Sequence, residues 1–143
     1  MADDLPYIDE HTIGVDAPRE RVWTALERYI ESLLHGVERN PLVALLGPRP
    51  RAGFDAVEKV EQQRLSLAGR HHFSRYRLDF ELRDIPGGGT RVQARSYAAF
   101  PGLHGRTYRA LVIGTGLHVV ATKHMLRGIR GAVVRATAGD QPA

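Results

Sequence analysis

Asp9 and His11 stand two residues apart in an alternating stretch in which Tyr7, Asp9, His11, Ile13 and Val15 share one parity. In an extended strand that spacing puts both side chains on one face, with Cα atoms about 7 Å apart at roughly 3.3 Å of rise per residue. A carboxylate beside an imidazole is an acid/base pair, because histidine changes charge near neutral pH and the carboxylate orients its ring. The plainer reading of the pair is a solvated strand end. A second polar group lies far downstream, where Thr115, His118 and Thr122 interrupt an apolar stripe at offsets of three and four. On a helix those offsets share a face, which makes the three residues candidate ligand contacts. Equally, the threonines can bond back to helix carbonyls and the histidine can find a core partner. Asp9, His11 and His118 are therefore the catalytic candidates.

Other chemistries lack their residues. The chain has no cysteine, which removes disulfides and thiolate nucleophiles, and no serine sits in a G-x-S-x-G elbow. His71 and His72 are adjacent, and His118 and His124 are six apart, so neither pair has metal-ligand spacing. No metal and no cofactor is expected. Gly114 and Gly116 follow an apolar run as in a nucleotide-binding loop, but Val119 stands where the third glycine of G-x-G-x-x-G belongs.

The elements that must position these groups come in a definite order. After the first strand, Asp16-Ala17-Pro18 starts a helix, with proline in the first turn and Glu20 complementing the dipole. Val22, Trp23, Leu26, Tyr29, Ile30, Leu33 and Leu34 give it a buried stripe ending near His35 and Gly36. Asn40-Pro41 caps a short apolar helix over residues 42–46. Four strands follow, over residues 54–61, 64–68, 71–83 and 90–100. The third alternates Tyr76, Leu78, Phe80 and Leu82 against Arg75, Arg77, Asp79, Glu81 and Arg83, one dry face and one wet. Gly87, Gly88 and Gly89 supply the turn between the last two. From Arg106 onward a helical pattern of about 30 residues predicts one continuous cover, about 45 Å long at 1.5 Å per residue. Residues 139–143 are expected to be a frayed tail, leaving one domain over residues 1–138.

With 143 residues there is room for one core. The formal charge of +4 invites an anionic partner, but most arginines fall on wet strand faces or helix surfaces, with acidic residues among them, and no nucleic-acid motif accompanies them. Nucleic-acid binding is not expected. The N-terminus has neither a basic nor an apolar leader region, and no apolar run approaches the ~20 residues of a membrane span, so a cytoplasmic protein without membrane insertion is expected.

The strand followed by Asp16-Ala-Pro-Arg-Glu-Arg-Val-Trp23, the turn Gly87-Gly-Gly-Thr-Arg-Val92 and the terminal helix together resemble the START-like superfamily. That group includes the Bet v 1-like proteins and the polyketide cyclase/dehydrase family. The resemblance implies an α+β helix-grip fold: a curved antiparallel sheet wrapped around a long C-terminal helix, two shorter helices after the first strand, and an internal cavity for an apolar ligand. Two features depart from it. Residues 40–51 contain no aromatic, and five strands are legible where the fold usually has six or seven.

A cavity also has support from side-chain size. The inward set of the last strand is Val92, Ala94, Ser96, Ala98 and Phe100, three of them small. Gly114 and Gly116 sit in the covering helix at about 1 kcal/mol each against alanine, and close packing is the competing account. The leading expectation is binding of a small hydrophobic, polyaromatic or lipid-like molecule. Tyr76, Leu78, Phe80 and Val92 would form the floor, and Leu111, Thr115, His118 and Thr122 the roof. His11, Ser96 and Tyr108 would orient polar groups. The alternatives are a polyketide cyclase/dehydratase-type enzyme using Asp9, His11 and His118, and a ligand-free domain that forms a homodimer through residues 42–46.

Overall fold

The computed structural model describes residues 5–39, 55–71, 74–100, 102–113 and 116–140. The expected short helix over 42–46, and with it the homodimer contact, lies outside them, as does Thr115. Strand β1 (Tyr7–Val15) leads into helix α1 (Arg19–Arg39). Strands β2 (Asp55–Val60), β3 (Arg64–His71), β4 (Ser74–Ile85) and β5 (Gly89–Ala99) follow, then helices α2 (Gly102–Val112) and α3 (Leu117–Asp140). The five strands form one antiparallel sheet in the order β1-β5-β4-β3-β2. The long C-terminal helix packs on this curved sheet, and the architecture is that of a helix-grip fold.

The dry face of β4 carries the core. Leu78, Phe80 and Leu82 are buried with Leu65 and Leu67 of β3 and Val92 and Ala94 of β5. Above them lie Val22, Trp23, Leu26 and Ile30 of α1 and Leu126, Ile129 and Val133 of α3. Burial of such side chains, worth about 1.5–3 kcal/mol each, pins both helices over this half of the sheet. Thr90, fully buried on β5, donates its hydroxyl to the Ala17 carbonyl at 2.8 Å and ties the start of α1 to the sheet. On the outer face the charges of neighbouring strands interlock. Arg64 reaches Glu58 and Glu81 at 3.3 and 3.1 Å, and Arg77 reaches Asp79 at 2.7 Å and Ser66 at 3.3 Å.

Three expectations change. The β3–β4 reversal falls between His71 and Ser74, which pair directly, so β3 outlasts residue 68. Tyr7 does not share a face with Asp9, because a bulge intervenes. The terminal helix is not continuous: Gly116 adopts φ +78°, a left-handed value that glycine accepts without strain, and its N–H bonds to the Ile113 carbonyl. The helix thus ends at Val112 and restarts at Leu117, and α3 then runs through Asp140, past the expected start of the tail.

Candidate functional site

The core fills only the half of the concave face nearest the β4–β5 turn. At the other end small residues replace large ones on β5, and a cavity of about 330 Å³ remains between the sheet and the α2–α3 corner. Its floor is Tyr76 and Leu78 of β4 with Ser96 and Ala98 of β5. Its roof is Tyr108 and Ile113 before the break and His118, Ala121, Thr122 and Met125 after it. Phe100 lies at 6.2 Å from the Tyr108 ring, centroid to centroid, and sets α2 against the sheet end. That volume is at the small end of the usual range for ligand sites, and the lining is mostly apolar, as such sites are.

The edge strand supplies the polar side. Tyr7 pairs with Tyr97 on the outer face, yet Asp9 pairs with Ser96 on the inner one, so Ile8 is an extra residue in β1. Strict alternation from Tyr7 would turn Asp9 outward. The bulge turns it inward instead, and Ile8 lines the cavity as well. Asp9 then meets two imidazoles: His11 Nε2 lies 3.1 Å from Oδ2, and His118 Nε2 lies 3.1 Å from Oδ1. Their side chains are only 20–25% exposed. An ionised carboxylate only accepts, so each Nε2 carries a proton and donates it. Each Nδ1 is thereby left as an acceptor when the ring is neutral, the tautomer suited to a base. His118 faces the cavity, whereas His11 borders a separate cleft beside Lys123, Leu126 and Arg127.

Two further polar groups complete the wall. Thr122 donates its hydroxyl to the His118 carbonyl at 3.0 Å, the back-bond foreseen as the alternative to ligand contact. Ser96, 5% exposed, has no hydrogen-bond partner for its Oγ. Burial pushes the Tyr76 phenol up to about 12, with Tyr108 adding to the effect, and burial also raises Tyr108. Both rings therefore stay neutral at physiological pH. Arg77 borders the cavity through its strand, but its guanidinium lies on the outer face with Asp79 and Glu58.

Of the residues singled out from sequence, Tyr76, Leu78, Ser96, Tyr108, His118 and Thr122 come together around the cavity. Phe80 and Val92 do not line it: both are fully buried in the adjoining core. Leu111 is 59% exposed on the outside of α2, and His11 reaches the site only through Asp9. Ile8 carries no sequence signal for its role, because alternation assigns it to the wet face. Among the described residues no group of three or more His, Cys, Asp or Glu is arranged to hold a metal ion.

No protein-family model matches this chain, and no curated protein sequence does. Solved structures do. A Thermus thermophilus protein superposes with a TM-score of 0.55 at 18% identity, covering 92% of this chain and 99% of its own. A conserved Geobacillus kaustophilus protein gives 0.57 at 10% identity, covering 89% and 95%. The Zhui aromatase/cyclase of a Streptomyces species gives 0.51 at 12% identity, covering 93% and 96%. At these identities the likeness is one of fold, and it extends over nearly the whole length of each chain. The chain accordingly shares the fold of these structures.

Proposed function

We propose that the protein binds a small, uncharged, hydrophobic molecule, most suitably an aromatic one bearing a hydroxyl or carbonyl oxygen, between the sheet and the α2–α3 corner. The observation that carries this reading is the Ser96 hydroxyl, buried without a partner in a mostly apolar cavity. Leaving such a group unsatisfied costs about 1–3 kcal/mol, and a ligand oxygen would offset it. Charge argues for a neutral ligand. The described lining carries no inward lysine or arginine, and Asp9 stands behind Ser96 and His118, so a carboxylate or phosphate would meet no permanent cation there and a carboxylate nearby. Prodan, an uncharged naphthyl ketone whose emission reports its surroundings, tests the idea. Its emission should shift to the blue with the wild-type protein and not with Ser96→Phe or Ala98→Phe. Equal shifts in all three proteins would refute the site.

A second reading is acid/base catalysis of the cyclase/dehydratase kind, favoured by the Asp9-held tautomer of His118 at the cavity wall. An imidazole so oriented can take a proton from a carbon beside a carbonyl and return it to oxygen. His118→Ala would then abolish turnover of a polyketone while retaining its binding. Turnover that survives this change would rule out the role.

A further inference from the structure

Acidic residues stop at Asp84 and resume only at Asp140. Between them α2 and α3 carry Arg106, Arg109, Lys123, Arg127, Arg130 and Arg135, all exposed. Outside residues 85–139 the chain holds 12 basic and 16 acidic residues, so the modest total charge hides a segregation. The outward side of α3 is also not uniformly polar. Leu117 and Val120 are 60% and 65% exposed, and they share one stripe with His124 and Arg127 at offsets of three, four and three. The buried side of the same helix holds Thr122, Leu126, Ile129 and Val133, so α3 has an apolar face for its own core and a second, cationic and aliphatic face with no described element over it. Val134, further along α3, is a third exposed aliphatic at 62%.

From this arrangement we infer that the outer face of α3 docks the protein onto an anionic lipid bilayer, with Leu117 and Val120 entering the headgroup boundary and the helix's basic side chains pairing with lipid phosphates. A helix lies in the plane of a membrane surface when it combines aliphatic side chains with lysine and arginine, and each cationic residue near an anionic leaflet adds affinity. The contact is peripheral, since among the described residues no helix is long and apolar enough to cross a membrane. A second copy of the chain fits the face poorly. A two-fold contact would set Arg127 and its neighbours against their own equivalents, with no carboxylate on either helix before Asp140. Single-stranded nucleic acid fits poorly too, because the stripe offers no phenylalanine, tyrosine or tryptophan ring for a base to stack on.

Flotation of the full chain with vesicles tests this. Vesicles containing phosphatidylglycerol should carry the protein upward and pure phosphatidylcholine vesicles should not, with binding falling as salt rises. Arg127→Gln should weaken binding about fivefold, the effect of one surface charge. Val120→Asp should weaken it at least as much and leave residual binding that is more salt-sensitive. Arg91→Gln, exposed on the sheet, should change nothing, and circular dichroism should verify that each variant is folded. Equal binding to both vesicle types, equal loss with Arg91→Gln, or no vesicle binding alongside salt-sensitive RNA binding or self-association would each overturn the inference.

Discussion

Asp9 and His118 are separated by 109 positions in the chain and touch at 3.1 Å, an edge strand's carboxylate holding the first turn of the covering helix. His11 occupies the other oxygen of the same carboxylate. One aspartate thus fastens β1 to α3 and fixes two imidazole tautomers. Asp9→Asn keeps the shape but replaces an acceptor oxygen with an NH2 donor, so at least one imidazole N–H loses its partner. Hydrogen bonds to a charged group contribute about 1.5–3 kcal/mol, and partial exposure lowers the figure, so the variant should lose about 1–2 kcal/mol in urea unfolding. Nitrogen NMR of the wild-type imidazoles should place the proton on Nε2 of both rings at a pH where they are neutral. An Nδ1–H form of His118 would show that the contact is not made as described.

The buried phenols fix the response to alkali. Tyr76 in the folded protein ionises near pH 12 instead of 10.0, first because of burial and then because of Tyr108. Below pH 10 the ring is protonated in folded and unfolded chains alike, and its contribution to stability is fully present. Above pH 10 the unfolded chain ionises first, so stability falls as pH rises toward 12. Phenolate absorbance should accordingly show a late-titrating tyrosine that is absent from Tyr76→Phe, and the variant should lose less stability between pH 10 and 11. An occupied cavity should delay the titration further.

The junction of α2 and α3 includes one left-handed residue, Gly116. A Cβ at Gly116 would meet nothing within 4 Å, so the sole penalty of Gly116→Ala is the left-handed φ of +78°. That conformation costs a side-chain-bearing residue about 1–2 kcal/mol, and asparagine bears it more easily. Thermal unfolding should rank glycine above asparagine and asparagine above alanine. An alanine variant more stable than wild type would indicate that α2 and α3 join into the single helix the residue pattern suggests.

That ranking bears on what was legible from residue types. The strands, their wet and dry faces and the glycine turn follow from alternation, a local signal that the burial of Leu78, Phe80 and Leu82 then enforces. The small inward residues of β5 likewise pointed to space at Ser96 and Ala98. Two features escaped. Helical periodicity in the residue types runs on past Ile113 without interruption, because the left-handed φ of Gly116 leaves no mark on polarity. The bulge at Ile8 is invisible for a related reason: the choice of which residue is extra is made by pairing with Ser96 and Tyr97, some 90 positions away. Asp9 and His11 were recognisable as neighbours on a face, but their junction with His118 is a product of tertiary packing.

Ser96 separates the energetics of the empty protein from those of the occupied one. Its hydroxyl is desolvated and unpaired, so the empty cavity bears a cost that Ser96→Ala removes along with the group. The alanine variant should therefore be as stable as wild type or more so, by up to about 1 kcal/mol, whereas an ordinary loss of a buried hydrogen bond would destabilise. Binding should move the other way and only for ligands with oxygen. Prodan affinity should fall about fivefold, the equivalent of one neutral hydrogen bond, while naphthalene, which offers no acceptor, should bind both proteins equally. If Ser96→Ala weakens both ligands alike, the hydroxyl shapes the cavity without recognising anything. If it destabilises the empty protein, Ser96 has a partner inside the fold and the preference for an oxygen-bearing ligand loses its basis.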